Sequence, residues 1–334
     1  MEDAVAAARR IADDVLFPRA NDTDRARVVP LENLDALADA GLYGLTGPPA
    51  SGGADADFAT VCSVTELLSS GCLTTAFVHA QHIGAVHAVA TSDTEGLADE
   101  WLAPLCRGER RAGLALAGAL PGRPLLRAVA RGGLWELTGS ARWISGWGRI
   151  DVVHTAARTD DGRVVWLLAD ARESESFHVR RLELTALDAT ATVRADYTQH
   201  TVRADRVTSI VPHEEGPPNP YVLRIHASFA LGVVARACTL IGPTPLDDEL
   251  TRCRDALDAE APEALVDAMP AARAAVSELA LRATAALMVR MGSESVVREQ
   301  HAQRLAREAL FLAVYASRPE VRSALLTLLR SPAS

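Results

Sequence analysis

The spacing of apolar residues changes twice along this chain. It is helical up to Gly108, near-alternating between Ala112 and Val202, and helical again from Pro220 onwards. Runs of strands set between runs of helices define an α+β class. The expected organisation is an N-terminal helical domain over residues 1–110, a middle β-domain over 111–213 and a C-terminal helical bundle over 214–334. The β-domain is expected to be an antiparallel barrel or sandwich.

Local signals place the elements. Val5, Ala8, Ile11, Ala12, Val15 and Leu16 share one helical face, and Pro18 is expected to stop that helix. Pro30 opens a second helix and Gly41 closes it. Asp57 is placed to cap a helix that Gly71 ends. Two apolar runs flank Asp160-Asp161-Gly162, which reads as a hairpin turn. The mostly apolar stretch 221–241 reads as a buried helix. Helices over 262–291 and 299–315 and an amphipathic segment after Pro319 complete the pattern.

Several classes of function are excluded by composition. The chain contains no lysine, which rules out Schiff-base chemistry. Its formal net charge of −9 disfavours nucleic acid as a partner. No apolar run reads as membrane-spanning, so membrane insertion is not expected. The start, Met1-Glu2-Asp3, is acidic, which points to a cytoplasmic protein. Five dispersed cysteines without a C-x-x-C pair suit reduced thiols. His79 and His82 share a helical face but lack a third ligand, so no metal site is expected.

Arg304-Leu305-Ala306-Arg307-Glu308-Ala309, leading to Val314-Tyr315-Ala316-Ser317, resembles the R-L-x-R-D-A…Y-E-G-T signature of the acyl-CoA dehydrogenase superfamily. Further likenesses follow in the family's order. They are Leu42-Tyr43-Gly44-Leu45-Thr46 with Ser51-Gly52-Gly53, then Trp143-Ile144-Ser145, Leu187 to Val193, and Val202-Arg203-Ala204-Asp205-Arg206-Val207. The resemblance covers nearly the whole chain. It implies a flavin, FAD in most members, lying between the β-domain and the C-terminal helices. Trp143 would shield the ring, Ile144 would line it, and Ser145 would hydrogen-bond its N5/O4 edge. Leu116, Ala117 and Gly118 stand where the family approaches the flavin through backbone amides. The family's E-P-x-x-G-S-D loop is replaced by Leu120-Pro121-Gly122-Arg123-Pro124, with Arg123 a candidate cation. The segment that reaches a neighbouring subunit's dinucleotide is shortened near residues 243–254, which leaves FMN or no flavin as alternatives.

The family's catalytic base is the glutamate of Y-E-G-T, and Ala316 occupies that position here. A second location used in some branches lies on helix 221–241, which holds no Asp or Glu. His226 is the remaining candidate base there, with a satisfied core histidine as the plain alternative. His79 and His82 are candidates for lining the acyl cavity. The leading expectation is a flavin-dependent oxidoreductase acting on an acyl thioester or related small molecule, and not by ordinary α,β-desaturation. The alternatives are a base-less subunit completing a heteromer with another family member, and a flavin-free protein binding an acyl chain or small molecule. The resemblance and the Ala-rich C-terminal helices imply a homodimer or homotetramer.

Overall fold

The computed structural model describes residues 3–213, 216, 219–316 and 318–330. Met1, Glu2 and Ser317 of the sequence arguments lie outside the described residues.

The N-terminal part contains α1 (Ala4–Ile11), α2 (Phe17–Arg25), α3 (Leu31–Asp39), α4 (Phe58–Gly71), α5 (Leu73–Ala90) and α6 (Leu97–Cys106). Pro18 does not stop the first helix. A π-helical turn over Ala12–Leu16 joins α1 to α2, and the Phe17 amide bonds back five residues to Ala12. Pro18 therefore sits in the first turn of a new helical segment, where its missing N–H is tolerated. Asp57 caps α4, accepting from the Thr60 amide at 2.8 Å. α5 is apolar on nearly every face and lies buried among its neighbours.

Eight strands follow: β1 (Ala112–Ala115), β2 (Leu126–Arg131), β3 (Leu134–Ile144), β4 (Val152–Thr159), β5 (Arg163–Asp170), β6 (Phe177–Arg181), β7 (Val193–Arg203) and β8 (Val207–Pro212). They form one sheet in the order β6-β7-β3-β2-β4-β5-β8, with β1 beside β4. The sheet is mixed, where an antiparallel one was expected. β1 and β2 both run parallel to β4, and the remaining pairings are antiparallel. The cause is local. β5 takes one edge of β4, so β1 and β2 share the other as two in-line segments, separated by the loop 116–125. Gly162, at φ +82°, closes the β4–β5 turn.

The C-terminal helices are α7 (Pro220–Ile241), α8 (Pro245–Asp258), α9 (Met269–Met291), α10 (His301–Val314) and α11 (Pro319–Arg330). The 22-residue α7 is long and apolar enough by composition to cross a membrane, contrary to the first reading. In the fold, 72% of its most apolar window is buried inside the protein. The core around α7 includes Leu73 and Phe77 of α5 and Leu187 from the strand block. The two helical regions thus share a core, although residues 111–213 separate them in the chain.

Close packing between them depends on Gly232. A Cβ there would stand 2.3 Å from the Glu66 carbonyl and 2.7 Å from Ser69 Cβ. Because the obstacle is α4 backbone, Gly232→Ala is expected to lower unfolding free energy by about 1–3 kcal/mol, with Gly232→Val lowering it further. Urea denaturation measures this; an unchanged midpoint would mean the helices separate without cost.

Candidate functional site

Helices α5, α7 and α10 bring together Phe77, Phe229, Phe311, Tyr315 and His226. The Phe77 ring lies 4.9 Å from Tyr315 and 5.6 Å from Phe229, and Tyr315 stacks on Phe311 at 5.4 Å. The Phe77–Tyr315 pair is edge-on and the Tyr315–Phe311 pair stacked, geometries that aromatic quadrupoles favour. The Tyr315 hydroxyl and His226 Nε2 are 3.3 Å apart. Burial, reinforced by the nearby Arg273 guanidinium, holds the His226 pKa well below the imidazole range. His226 is therefore neutral near pH 7 and weakly basic, and its Nε2 already faces a hydroxyl. Ala316 follows with φ +47° and an exposed methyl. No carboxylate replaces the family glutamate at that position.

The β-domain presents the other group of expected site residues. A bulge between Ala141 and Ile144 places three residue steps of β3 against two of β7. The extra residue turns both Arg142 and Trp143 outward, and Trp143 is 59% exposed with a left-handed φ of +67°. A non-glycine residue held there is strained, a pattern concentrated at functional sites. Ile144 returns to the interior of the β-domain core.

Ser145 is 2% exposed and belongs to a chain of hydroxyls. Its Oγ lies 2.8 Å from Thr192 Oγ1, which lies 2.7 Å from Thr190 Oγ1. Thr190 donates its only hydroxyl proton to the Leu187 carbonyl at 2.7 Å. Thr192 must then donate to Thr190, and Ser145 to Thr192. The Ser145 hydroxyl proton is thus committed within the protein, and its oxygen can only accept elsewhere.

Leu116 is 42% exposed, while Ala117 is buried. The Gly118 amide donates to the Ala156 carbonyl at 2.9 Å. A Cβ on Gly118 would meet the Ala157 backbone at 2.4 Å, so this glycine serves packing against β4. Arg158 anchors the loop by donating to the Gly118 and Leu120 carbonyls at 2.8 and 3.0 Å. Arg123 is exposed. Of the flavin contacts the motifs imply, the structure offers the Trp143 indole face openly. The Gly118 and Ser145 donors are already used.

His79 and His82 are buried, and their rings bond backbone groups. His79 Nε2 bonds the Leu42 carbonyl at 2.9 Å. His82 bonds the Leu105 carbonyl through Nε2 at 3.1 Å and accepts the Ala112 amide through Nδ1 at 3.0 Å. Both rings pack edge-on against Tyr43. They tie α5 to the Leu42 turn, α6 and β1.

Arg304 and Glu308 of the signature helix form a buried ion pair at 2.6 Å. Arg307 holds Asp24 at 2.5 Å and so binds α10 to α2. These residues position the helix. The sequence reading passed over Arg273, which is buried and donates to the Leu312 carbonyl of α10 at 3.1 Å. It lies at helical spacing with Met269, Val276 and Ala280 on the buried stripe of α9, and that periodicity was the available signal.

Residues 2–109 match the family model "Acyl-CoA dehydrogenase, N-terminal domain". The chain is 26% identical over 213 residues to 3-sulfinopropanoyl-CoA desulfinase of Paraburkholderia xenovorans, covering 59% of this chain and 53% of that protein. It is 31% identical over 157 residues to (2S)-methylsuccinyl-CoA dehydrogenase of Cereibacter sphaeroides, covering 46% and 29%. The chain thus spans about half or less of the length of these two relatives. Its fold matches a glutaryl-CoA dehydrogenase from Mycobacterium smegmatis in complex with FADH2, with a TM-score of 0.78 at 17% identity, covering 99% and 95% of the two chains. A helical block, a mixed sheet and a helical bundle in this order make up the fold of those dehydrogenases. Residues 2–109 thus match the N-terminal domain of acyl-CoA dehydrogenases, and the chain as a whole has the acyl-CoA dehydrogenase fold.

Proposed function

We propose that this chain binds a flavin against Trp143 and acts on an acyl thioester or related small molecule by a reaction other than ordinary α,β-desaturation. The observation that carries the reading is Ala316, an exposed methyl at the position of the family base, with only a weakly basic histidine nearby. Related chains carry both a desulfinase and a dehydrogenase name, which supports a reaction that varies within the superfamily. The FADH2 complex of a structural neighbour supports FAD as the flavin. When bound, a flavin supplies a two-electron acceptor. Trp143 offers an open aromatic face for its ring, while Ser145 offers an oxygen acceptor. A homodimer or homotetramer through the C-terminal helices belongs to this reading. Exposed Val289, Leu310 and Val314 support it.

A second reading is favoured by the donors already committed at Gly118 and Ser145. It is a flavin-free member that uses the fold to bind an acyl chain or small molecule. One experiment separates the two. Purified protein incubated with FAD or FMN is expected to retain a flavin spectrum after desalting. Trp143→Ala is expected to weaken flavin binding by about 1–3 kcal/mol through lost burial. Protein that stays colourless would remove the first reading and leave the second.

A further inference from the structure

The β-domain carries an exposed apolar face ringed by arginines. Of the three blocks it alone holds more arginines than carboxylates, 14 against 11, in a chain of net charge −9. Strand geometry sets the face. Leu126 is fully buried, so its neighbours Leu125 and Arg127 point outward. The Ser140 amide donates to the Leu125 carbonyl at 2.8 Å, which puts Leu125 beside β3. Two residues further along β3, the bulge turns Arg142 outward. Leu120 joins from the loop between β1 and β2. Its carbonyl is held at 3.0 Å by Arg158, which pairs with Arg127 across β4 and β2. Arg123 lies on the same loop and is exposed.

Leu120 is 44% and Leu125 52% exposed. Surface leucines scattered singly need no explanation, whereas a cluster rimmed by polar groups marks an interaction surface. Arg123 and Arg142 have no ion-pair partner among the described residues, and Arg127 reaches Asp160 only at 3.7 Å. These cations keep their charge for a partner, and the partner they complement is acidic. Its shape follows from the exposure. A nucleotide is gripped in a cleft that buries most of its surface. Side chains standing half out of the surface bury their methyl groups against the face of another protein. Trp143, the proposed flavin contact, follows Arg142 at the border of the same face, so a partner docked there presents its load beside the ring.

We propose that Leu120 and Leu125, with Arg123, Arg127 and Arg142, dock an acidic carrier protein that presents the acyl group as a thioester on a flexible arm. This rests on the acyl-thioester reading above and assigns the carrier as a protein, not a free nucleotide thioester. The arginines steer the carrier and fix its register, and the leucines supply the buried contact.

Calorimetric titration of the full chain with a butyryl-loaded acidic acyl carrier protein, with butyryl-CoA and with phosphatidylglycerol vesicles tests the proposal. The loaded carrier is expected to bind at least about tenfold more tightly than butyryl-CoA. Its affinity is expected to fall at least about tenfold between low salt and ~0.5 M salt, because exposed charges are screened. Arg123→Glu and Arg142→Glu are each expected to weaken carrier binding at least about tenfold more than butyryl-CoA binding. Both side chains are exposed, so each variant is expected to keep the wild-type urea midpoint. Butyryl-CoA binding as tightly as the loaded carrier would overturn the docking surface while leaving the thioester reading intact. Variants that bind the carrier as the wild type does would overturn it in the same way. Binding of neither thioester would remove the thioester reading and the proposal with it. Vesicle binding that the variants abolish would assign the face to a lipid surface and overturn the carrier.

Discussion

Acidification from pH 7 to pH 5 is expected to destabilise this protein strongly. His79, His82 and His154 are each less than 7% exposed. Burial lowers their pKa values to about 4, about 3 and about 4. Geometry gives the same direction for His82, whose Nδ1 accepts the Ala112 amide and loses that bond on protonation. In the unfolded chain these imidazoles titrate near pH 6.5. Below that value the unfolded state binds more protons than the folded one, so stability falls as pH falls. The stabilisation is whole above about pH 6.5 and is lost progressively down to the folded values near 4 and 3. Each histidine contributes up to about 1.4 kcal/mol per pH unit across that window, so three give roughly 4 kcal/mol per unit. A typical domain holds only about 5–15 kcal/mol in total. Urea midpoints measured from pH 7.5 to 4.5 should fall steeply below pH 6.5. In His154→Gln, whose amide can still meet Thr208 Oγ1, the slope should shrink by at most about a quarter, because the lowered pKa of His226 adds to it in the same direction. A flat profile would show that the buried rings are protonated without cost.

The second large effect is catalytic. The isolated chain is expected to show negligible desaturation of saturated straight-chain acyl thioesters. Ala316 can neither accept a proton nor order a water for that purpose, and a missing general base typically costs ~10²–10⁴ in rate. His226 does not fill the role well, since its pKa is held down and its Nε2 faces the Tyr315 hydroxyl. Anaerobic mixing of flavin-loaded protein with a panel of acyl-CoAs should leave the flavin absorbance unchanged. Rapid bleaching would reveal a base elsewhere. Its persistence in His226→Ala would then exclude the histidine as that base.

Much of the architecture was legible because it depends on local patterning. The change from helical to alternating periodicity marked the three blocks. Asp57 read as a cap and Asp160-Asp161-Gly162 as a turn, since each acts on backbone groups a few residues away. Pro18 was misread for want of the π-helical turn before it, which packs against α4 at Gly71. A Cβ at Gly71 would lie 2.7 Å from the Ala12 carbonyl within the same turn.

What tertiary structure decided was the partner of each group. Sequence named His79 and His82 as neighbours on one face but gave no sign that carbonyls of Leu42 and Leu105 would occupy them. It offered Ser145 as a donor, and only the contact with Thr192, 47 positions away, turned it into an acceptor. The β1 and β2 pairings were hidden because an edge is chosen by the strand beside it. Periodicity reports which face a residue shares, whereas hydrogen bonds and charge compensation depend on atoms that only the folded chain brings within reach.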